Sequence, residues 1–121
     1  MREIAAAMLA GVLTATTTVR ADSDSASEML PICKAVFTDE ARRAGEAAIK
    51  STACLGQVFG IASTLIYLEF VCTPQGIKSN EALRVVLKYL DDHPERLHES
   101  FTVLAIEGLI SERPCSVPRT R

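Results

Sequence analysis

Apolar residues recur at helical intervals along most of this chain. Between Thr38 and Phe70 they fall at Ala44, Ala47, Ala48, Leu55, Val58, Phe59, Ala62, Leu65 and Ile66, with Ser51 in register, the spacing of one helix face. A single helix of that span would be about 48 Å long, too long for a small domain. A break is therefore expected between Gly45 and Thr52. Upstream, residues Ala26 to Val36 predict a shorter helix. Pro31 is tolerable there only in the first turn, because an interior proline loses a backbone hydrogen bond and crowds the turn before it. The polar run Asp22-Ser23-Asp24-Ser25 reads as a disordered leader or as the cap of that helix.

Downstream, Thr73-Pro74-Gln75-Gly76 is expected to end the helix of the Thr38 to Phe70 stretch, its proline and glycine supplying the chemistry of a turn. Ser79 or Asn80 can cap the helix that follows, in which Leu83, Val86, Leu87 and Leu90 share a face. Asp92-His93-Pro94-Glu95 reads as the start of the last helix, with Asp92 as N-cap, Pro94 in the first turn and Glu95 completing a capping box. Its stripe would be Leu97, Phe101, Leu104, Ala105 and Leu109, ending before Pro114. No segment sustains a two-residue alternation, so the expected class is all-α, a small bundle of four to five helices.

The N-terminus sets the compartment. An alanine- and leucine-rich stretch from Ile4 to Thr14 follows Arg2, and Val19-Arg20-Ala21 has the form of a signal-peptidase site, so residues 1–21 are expected to be a signal peptide cleaved before Asp22. That run is shorter than the roughly 20 residues of a bilayer span, no further run of that length is apparent, and no membrane association is expected after cleavage. Residues 22–115 then form one helical domain, and 116–121 a flexible tail. Cleavage leaves 11 basic and 14 acidic residues, a net charge of −3 in an even mixture, which excludes a nucleic-acid surface.

All four cysteines, Cys33, Cys54, Cys72 and Cys115, lie in the mature part. An even number in a small exported domain predicts two disulfides that staple the bundle. If the chain is helical from Cys54 to Cys72, these two stand about 27 Å apart, against a limit of roughly 7 Å between bridged Cα atoms. They cannot pair. Antiparallel neighbours favour Cys72 with Cys115 and leave Cys33 with Cys54; the alternative, Cys33 with Cys72 and Cys54 with Cys115, stays open.

Candidate chemistry is sparse. His93 and His98, with Glu95 and Glu99, superficially resemble a metal or acid–base set, yet H-P-E-R-L-H is not H-E-x-x-H, and imidazoles five residues apart on a helix diverge. There is no G-x-S-x-G, and no cysteine is expected to be free as a nucleophile. The chain reads as a non-enzyme without cofactor or metal. Gly56 and Gly60 form a G-x-x-x-G pair, expected to serve close packing inside the domain rather than a subunit contact. Asp91 and Arg42-Arg43 read as solvated charges.

The order C-L-G-Q-V-F-G from Cys54, F-V-C-T-P-Q-G-I from Phe70, E-A-L-R-V-V-L-K-Y-L-D-D-H-P-E-R-L-H from Glu81 and a helix closing on P-C resembles the Rap/Tai family of immunity proteins. The likeness covers roughly Leu30 to Cys115 and is most specific in V-V-x-x-Y-L-x-x-H-P-E-x-x-H, from Val85 to His98. The resemblance implies an all-helical, disulfide-containing periplasmic homodimer that binds and occludes a peptidoglycan-cleaving cysteine amidase of type VI secretion, performing no chemistry itself. The chain departs from the family pattern at Gln57, where a tyrosine is common, at Ser63 and Thr64, where an acidic residue is common, and in its tail from Ser116 to Arg121. A stapled scaffold presenting a loop or corner to an enzyme cleft loses little entropy on binding. On exposure, the candidate contacts are Thr73, Pro74, Gln75 and Gly76 in the loop running to Asn80, and His93 and His98 in the corner from Asp91 to His98. A second functional class, a periplasmic acid-stress chaperone or envelope interaction module, would instead expose apolar surface at low pH.

Overall fold

The computed structural model describes residues 24–38 and 45–115. The expected signal peptide, the Arg42-Arg43 pair and the C-terminal tail lie outside the described residues. Four α-helices are formed: α1 (Ala26–Lys34), α2 (Glu46–Tyr67), α3 (Ser79–Asp92) and α4 (Phe101–Glu112), with 3-10 turns at Ala35–Phe37 and Pro94–Arg96. Every helix packs against the other three. The core is built from Ser51, Cys54, Val58, Ala62 and Leu65 of α2, Ala82, Leu83, Val86, Leu87 and Leu90 of α3, and Phe101, Leu104, Ala105 and Leu109 of α4. Ala26 and Cys33 of α1 and Val71 complete it. Ser51 is the one buried polar residue among them, and its hydroxyl donates to the carbonyl of Ala48.

All four residues that the sequence marks on α3, Leu83, Val86, Leu87 and Leu90, are buried, and Ala82 joins them. In α2 the outcome is mixed: Val58, Ala62 and Leu65 are buried, Leu55 and Ile66 half-buried, and Phe59 points outward. The break upstream of Cys54 falls at Gly45, whose φ of 125° only glycine adopts without strain, and α2 then runs uninterrupted through Thr52. The break brings the start of α2 to the end of α1, where Cys33 bridges Cys54 with Cα atoms 5.6 Å apart. Cys72 bridges Cys115 at 4.8 Å. The favoured pairing thus holds, and the alternative is excluded.

Five local expectations are corrected. Pro31 is the sixth residue of α1 rather than part of its first turn. Tertiary anchors carry the helix past it: the amides of Ala26 and Ser27 donate to the carbonyls of Glu99 and Leu97, and Cys33 is tied by its disulfide. The helix α2 stops at Tyr67, before the Thr73–Gly76 turn, because Glu69 takes a left-handed φ of 62°. The amide of Phe70 then donates to Leu65 and that of Glu69 to Ile66, the pattern of a Schellman cap with glutamate in the usual glycine place. Neither Ser79 nor Asn80 precedes α3. Lys78 holds the N-cap position, without a side-chain cap bond. A Cβ built on Gly56 or Gly60 meets nothing within 4 Å, so neither glycine serves a close approach inside the domain. Close helix approach occurs at Gly108 instead, where a Cβ would lie 2.8 Å from that of Tyr89.

The last correction concerns Asp92. It is the final residue of α3, and its carboxylate pairs with Lys88 at 2.8 Å, one turn back. Pro94 opens a 3-10 turn, Glu95 is exposed on it, and α4 begins only at Phe101, so Leu97 packs on the core from the turn. The cap of α4 comes from the far end of the chain. Asp24 Oδ2 accepts hydrogen bonds from Thr102 Oγ1 (2.7 Å), Ser100 Oγ (2.9 Å) and the Thr102 amide (3.3 Å), while the Asp24 carbonyl accepts from the Phe101 amide. Gln57 Nε2 donates to Thr102 Oγ1 from α2. Burial alone would raise the Asp24 pKa, but the bonds from Thr102 and Ser100 outweigh it and hold the carboxyl below its ordinary value.

By length and composition α2 could cross a bilayer, with a mean hydropathy of 1.3 over 18 residues. The sequence reading missed this because threonine, serine and glycine break up any continuous apolar run. Its inner face is core.

Candidate functional site

The two segments singled out for partner contact lie at opposite ends of α3. The Thr73–Gly76 turn precedes its first residue and the His93–His98 corner follows its last. Fourteen residues of helix separate them by about 20 Å. They form two surfaces, not one.

At the turn, the Gly76 amide donates to the Thr73 carbonyl at 3.0 Å, and Gly76 takes a φ of 74°. Pro74 and Gln75 are exposed. Thr73 Oγ1 is buried without a hydrogen-bond partner, which leaves the start of this loop less well satisfied than the rest of the fold. Just beyond, Ile77 and Asn80 face Leu55, Gly56 and Phe59 of α2 across a shallow, mostly apolar groove of about 690 Å³. The Thr73–Gly76 residues do not line it.

The corner is organised by Arg96, which the sequence reading passed over. Its guanidinium donates from Nε and Nη2 to the two oxygens of Glu99 (2.6 and 2.8 Å) and from Nη1 to Glu107 of α4 (2.6 Å) and to the Tyr89 hydroxyl (3.1 Å). Tyr89 in turn donates to Glu107 at 3.1 Å. The Nδ1 nitrogen of His93 lies 2.7 Å from the Tyr89 carbonyl, and the two rings stack with centroids 4.2 Å apart. His98 stands exposed on the adjoining turn. One guanidinium thus locks the 3-10 turn to both α3 and α4. Only Gly108 lets Tyr89 sit low enough for this, so a glycine in α4 is part of the corner's geometry.

Each charge in the cluster is held in its ordinary ionised form. Glu99, through its bond to Arg96, and Glu107, through bonds to Arg96 and Tyr89, are held below the usual carboxylate range; Arg96, through Glu99 and Glu107, is held above its own. Burial and then the bond to Glu107 raise the Tyr89 phenol. Behind the corner, Arg84, Lys88, Tyr89, His93, Gly108 and Glu112 line an open groove of about 480 Å³ between α3 and α4. Arg84 also covers the ring of Phe37 at 4.1 Å.

Among the described residues there is no free cysteine, and no group of three or more His, Cys, Asp or Glu could hold a metal ion. The arrangement offers recognition: a rigid corner of mixed charge and two stacked rings beside a groove. The motif Y-L-x-x-H-P-E-x-x-H marked the segment in the sequence, with Arg96 at one of its unspecified positions. Glu107 and Gly108, which complete the corner from α4, carry no local signal.

Residues 25–115 match the family model of the Rap1a immunity proteins. No curated protein and no solved structure shows a significant match to the chain.

Proposed function

Because the chain belongs to the Rap1a immunity protein family, whose members are non-enzymatic inhibitors, we propose that it is a periplasmic homodimer, exported by a cleaved leader, that binds and occludes a peptidoglycan amidase effector of type VI secretion. The family match over nearly all of the described domain carries this reading. Two disulfides without a free cysteine suit an oxidising, extracytoplasmic compartment. The Arg96 corner supplies the preorganised surface such an inhibitor requires, since a side-chain cluster already fixed loses little freedom on docking. His93 and the adjoining α3–α4 groove are the contact surface we assign to the effector. The Thr73–Gly76 turn is the second candidate, and His98 borders the first.

The test is co-expression of the full chain with a periplasm-directed amidase encoded beside it. Cells are expected to survive, and purified amidase to bind saturably and lose activity. Lysis despite normal expression of the chain would refute the reading. If the protein instead bound no amidase and suppressed aggregation of unfolded clients at about pH 2 to 3, with dye-accessible apolar surface, an acid-stress chaperone would replace it.

A further inference from the structure

Among the described residues, four of the seven large apolar side chains that stand exposed belong to one helix and its C-cap. Ile49 (71 % exposed), Phe59 (44 %) and Tyr67 (85 %) belong to α2, and Leu68 (47 %) is its C-cap. No charged residue occurs between Lys50 and Glu69. At 100° per residue, Ile49, Ala53, Gly56, Gly60, Ser63 and Tyr67 lie within about 40° of the line opposite Val58, and all six are exposed. Their alternating spacing of four and three residues is that of a helix–helix seam.

The order of sizes along this seam says what covers it. Turned end for end about the level of Val58, the stripe maps onto itself: Ile49 falls on Tyr67, Ala53 on Ser63, and Gly56 on Gly60. Bulky residues occupy the two ends and small ones the centre. We infer that the outer face of α2 pairs antiparallel with the same face of a second copy, an isologous contact about a two-fold axis level with Val58. In that arrangement Ile49 of one copy packs on Tyr67 of the other, and the backbones approach closely at Gly56 and Gly60, where added side chains would meet open space in the single chain.

Two energetic considerations support this occupant. Large side chains such as Phe and Tyr bury about 150–250 Å² each, so Ile49 and Tyr67 on the seam offer roughly 350 Å² per copy at their observed exposures, with Phe59 and Leu68 flanking it on opposite sides by about 80° and about 100°. Two copies thus bury about 700 Å² from these side chains, and the small seam residues with the flanking Phe59 and Leu68 bring the pair to about 1,000 Å², the low end for a specific interface. The antiparallel sense also sets opposed helix dipoles side by side and brings Lys50 to the carbonyl end of the second α2. A face without charges desolvates at little cost. The inference rests on the dimeric reading of the preceding subsection and assigns its surface.

Sedimentation and light scattering of the oxidised protein test it. The wild type is expected to be a dimer at about 0.1 mM, and Gly60→Glu to weaken dimerisation at least about 100-fold with an unchanged helical spectrum, since a Cβ at residue 60 meets nothing within 4 Å in the single chain. Chains carrying Ala53→Cys and chains carrying Ser63→Cys should form a mixed disulfide with each other and neither with itself. A wild-type monomer would refute the dimeric reading altogether. A dimer untouched by Gly60→Glu would refute only the assignment to α2, and self-cross-linking of each single variant would refute the antiparallel sense. If Gly60→Glu stayed dimeric but failed to bind the amidase, the face would belong to the effector and the inference would fall.

Discussion

Asp24→Ala removes the cap of α4 while leaving the core untouched. The carboxylate accepts three hydrogen bonds, two from hydroxyls at 2.7 and 2.9 Å and one from the Thr102 amide at 3.3 Å. Hydrogen bonds to a charged group contribute about 1.5 to 3 kcal/mol each when well buried. Asp24 is only half-buried, so solvent screens the charge and the sum is well below that ceiling. Loss of an N-cap costs about 0.5 to 2 kcal/mol, and the two hydroxyls left without their acceptor place this site at the top of that range. The expected loss is about 2 kcal/mol, with about 1 kcal/mol for Asp24→Asn, which keeps one acceptor oxygen but not the charge. Urea unfolding at pH 7 with disulfides intact would measure both, with slopes unchanged. The folded pKa lies below the ordinary 3.8. The stabilisation is therefore complete well above that value and is lost as the pH falls through the lower folded one, so wild type and variants should converge in acid. A loss under about 0.5 kcal/mol at pH 7, or a gap undiminished in acid, would refute the account of a long-range carboxylate cap.

The two disulfides should differ in a way that loop length alone does not predict. The loop model assigns about 3 kcal/mol to Cys33–Cys54 and about 4 to Cys72–Cys115. Cys33 and Cys54 are fully buried whereas Cys72 is exposed, so replacing the first pair by serine adds the burial of two hydroxyls, about 1 to 3 kcal/mol more, and is expected to be the costlier change in urea unfolding. Under limiting reductant, alkylation and mass spectrometry should find Cys72 and Cys115 modified first. Gly108→Ala should destabilise by about 1 kcal/mol, overpacking against Tyr89 outweighing the gain in helix propensity. It should also shift the resonances of His93 and Arg96; unchanged resonances would detach Gly108 from the corner.

The helical class, the α3 face and the cysteine pairing were legible because each follows from local periodicity or from reach along a helix. What was not legible is nonlocal. Asp92-His93-Pro94-Glu95 has the residues of a helix start, yet the cap of α4 is supplied by Asp24, 78 residues before Thr102. Nothing in the local sequence distinguishes an aspartate that caps its own helix from one that caps another. The Schellman turn at Glu69 was missed because its left-handed residue is not glycine. Gly56 and Gly60 read as a close approach inside the domain, but the spacing does not say which helix lies opposite, and within the chain none approaches there. In the corner, the Tyr89–Arg96 segment is written contiguously, while Glu107 and Gly108 reach it only through the crossing of α3 and α4.

The two disulfides join the first cysteine to the second and the third to the fourth, closing successive loops of 21 and 43 residues that neither nest nor cross. A chain that emerges N-terminus first presents each thiol to an oxidant together with its native partner as soon as that partner appears. Simple vectorial oxidation then yields the native connectivity, and no bond need be broken and remade by an isomerase. The first loop can close before any of α3 has emerged. Only α1, whose leading amides bond to Leu97 and Glu99, must wait for the last third of the chain to finish its own fold.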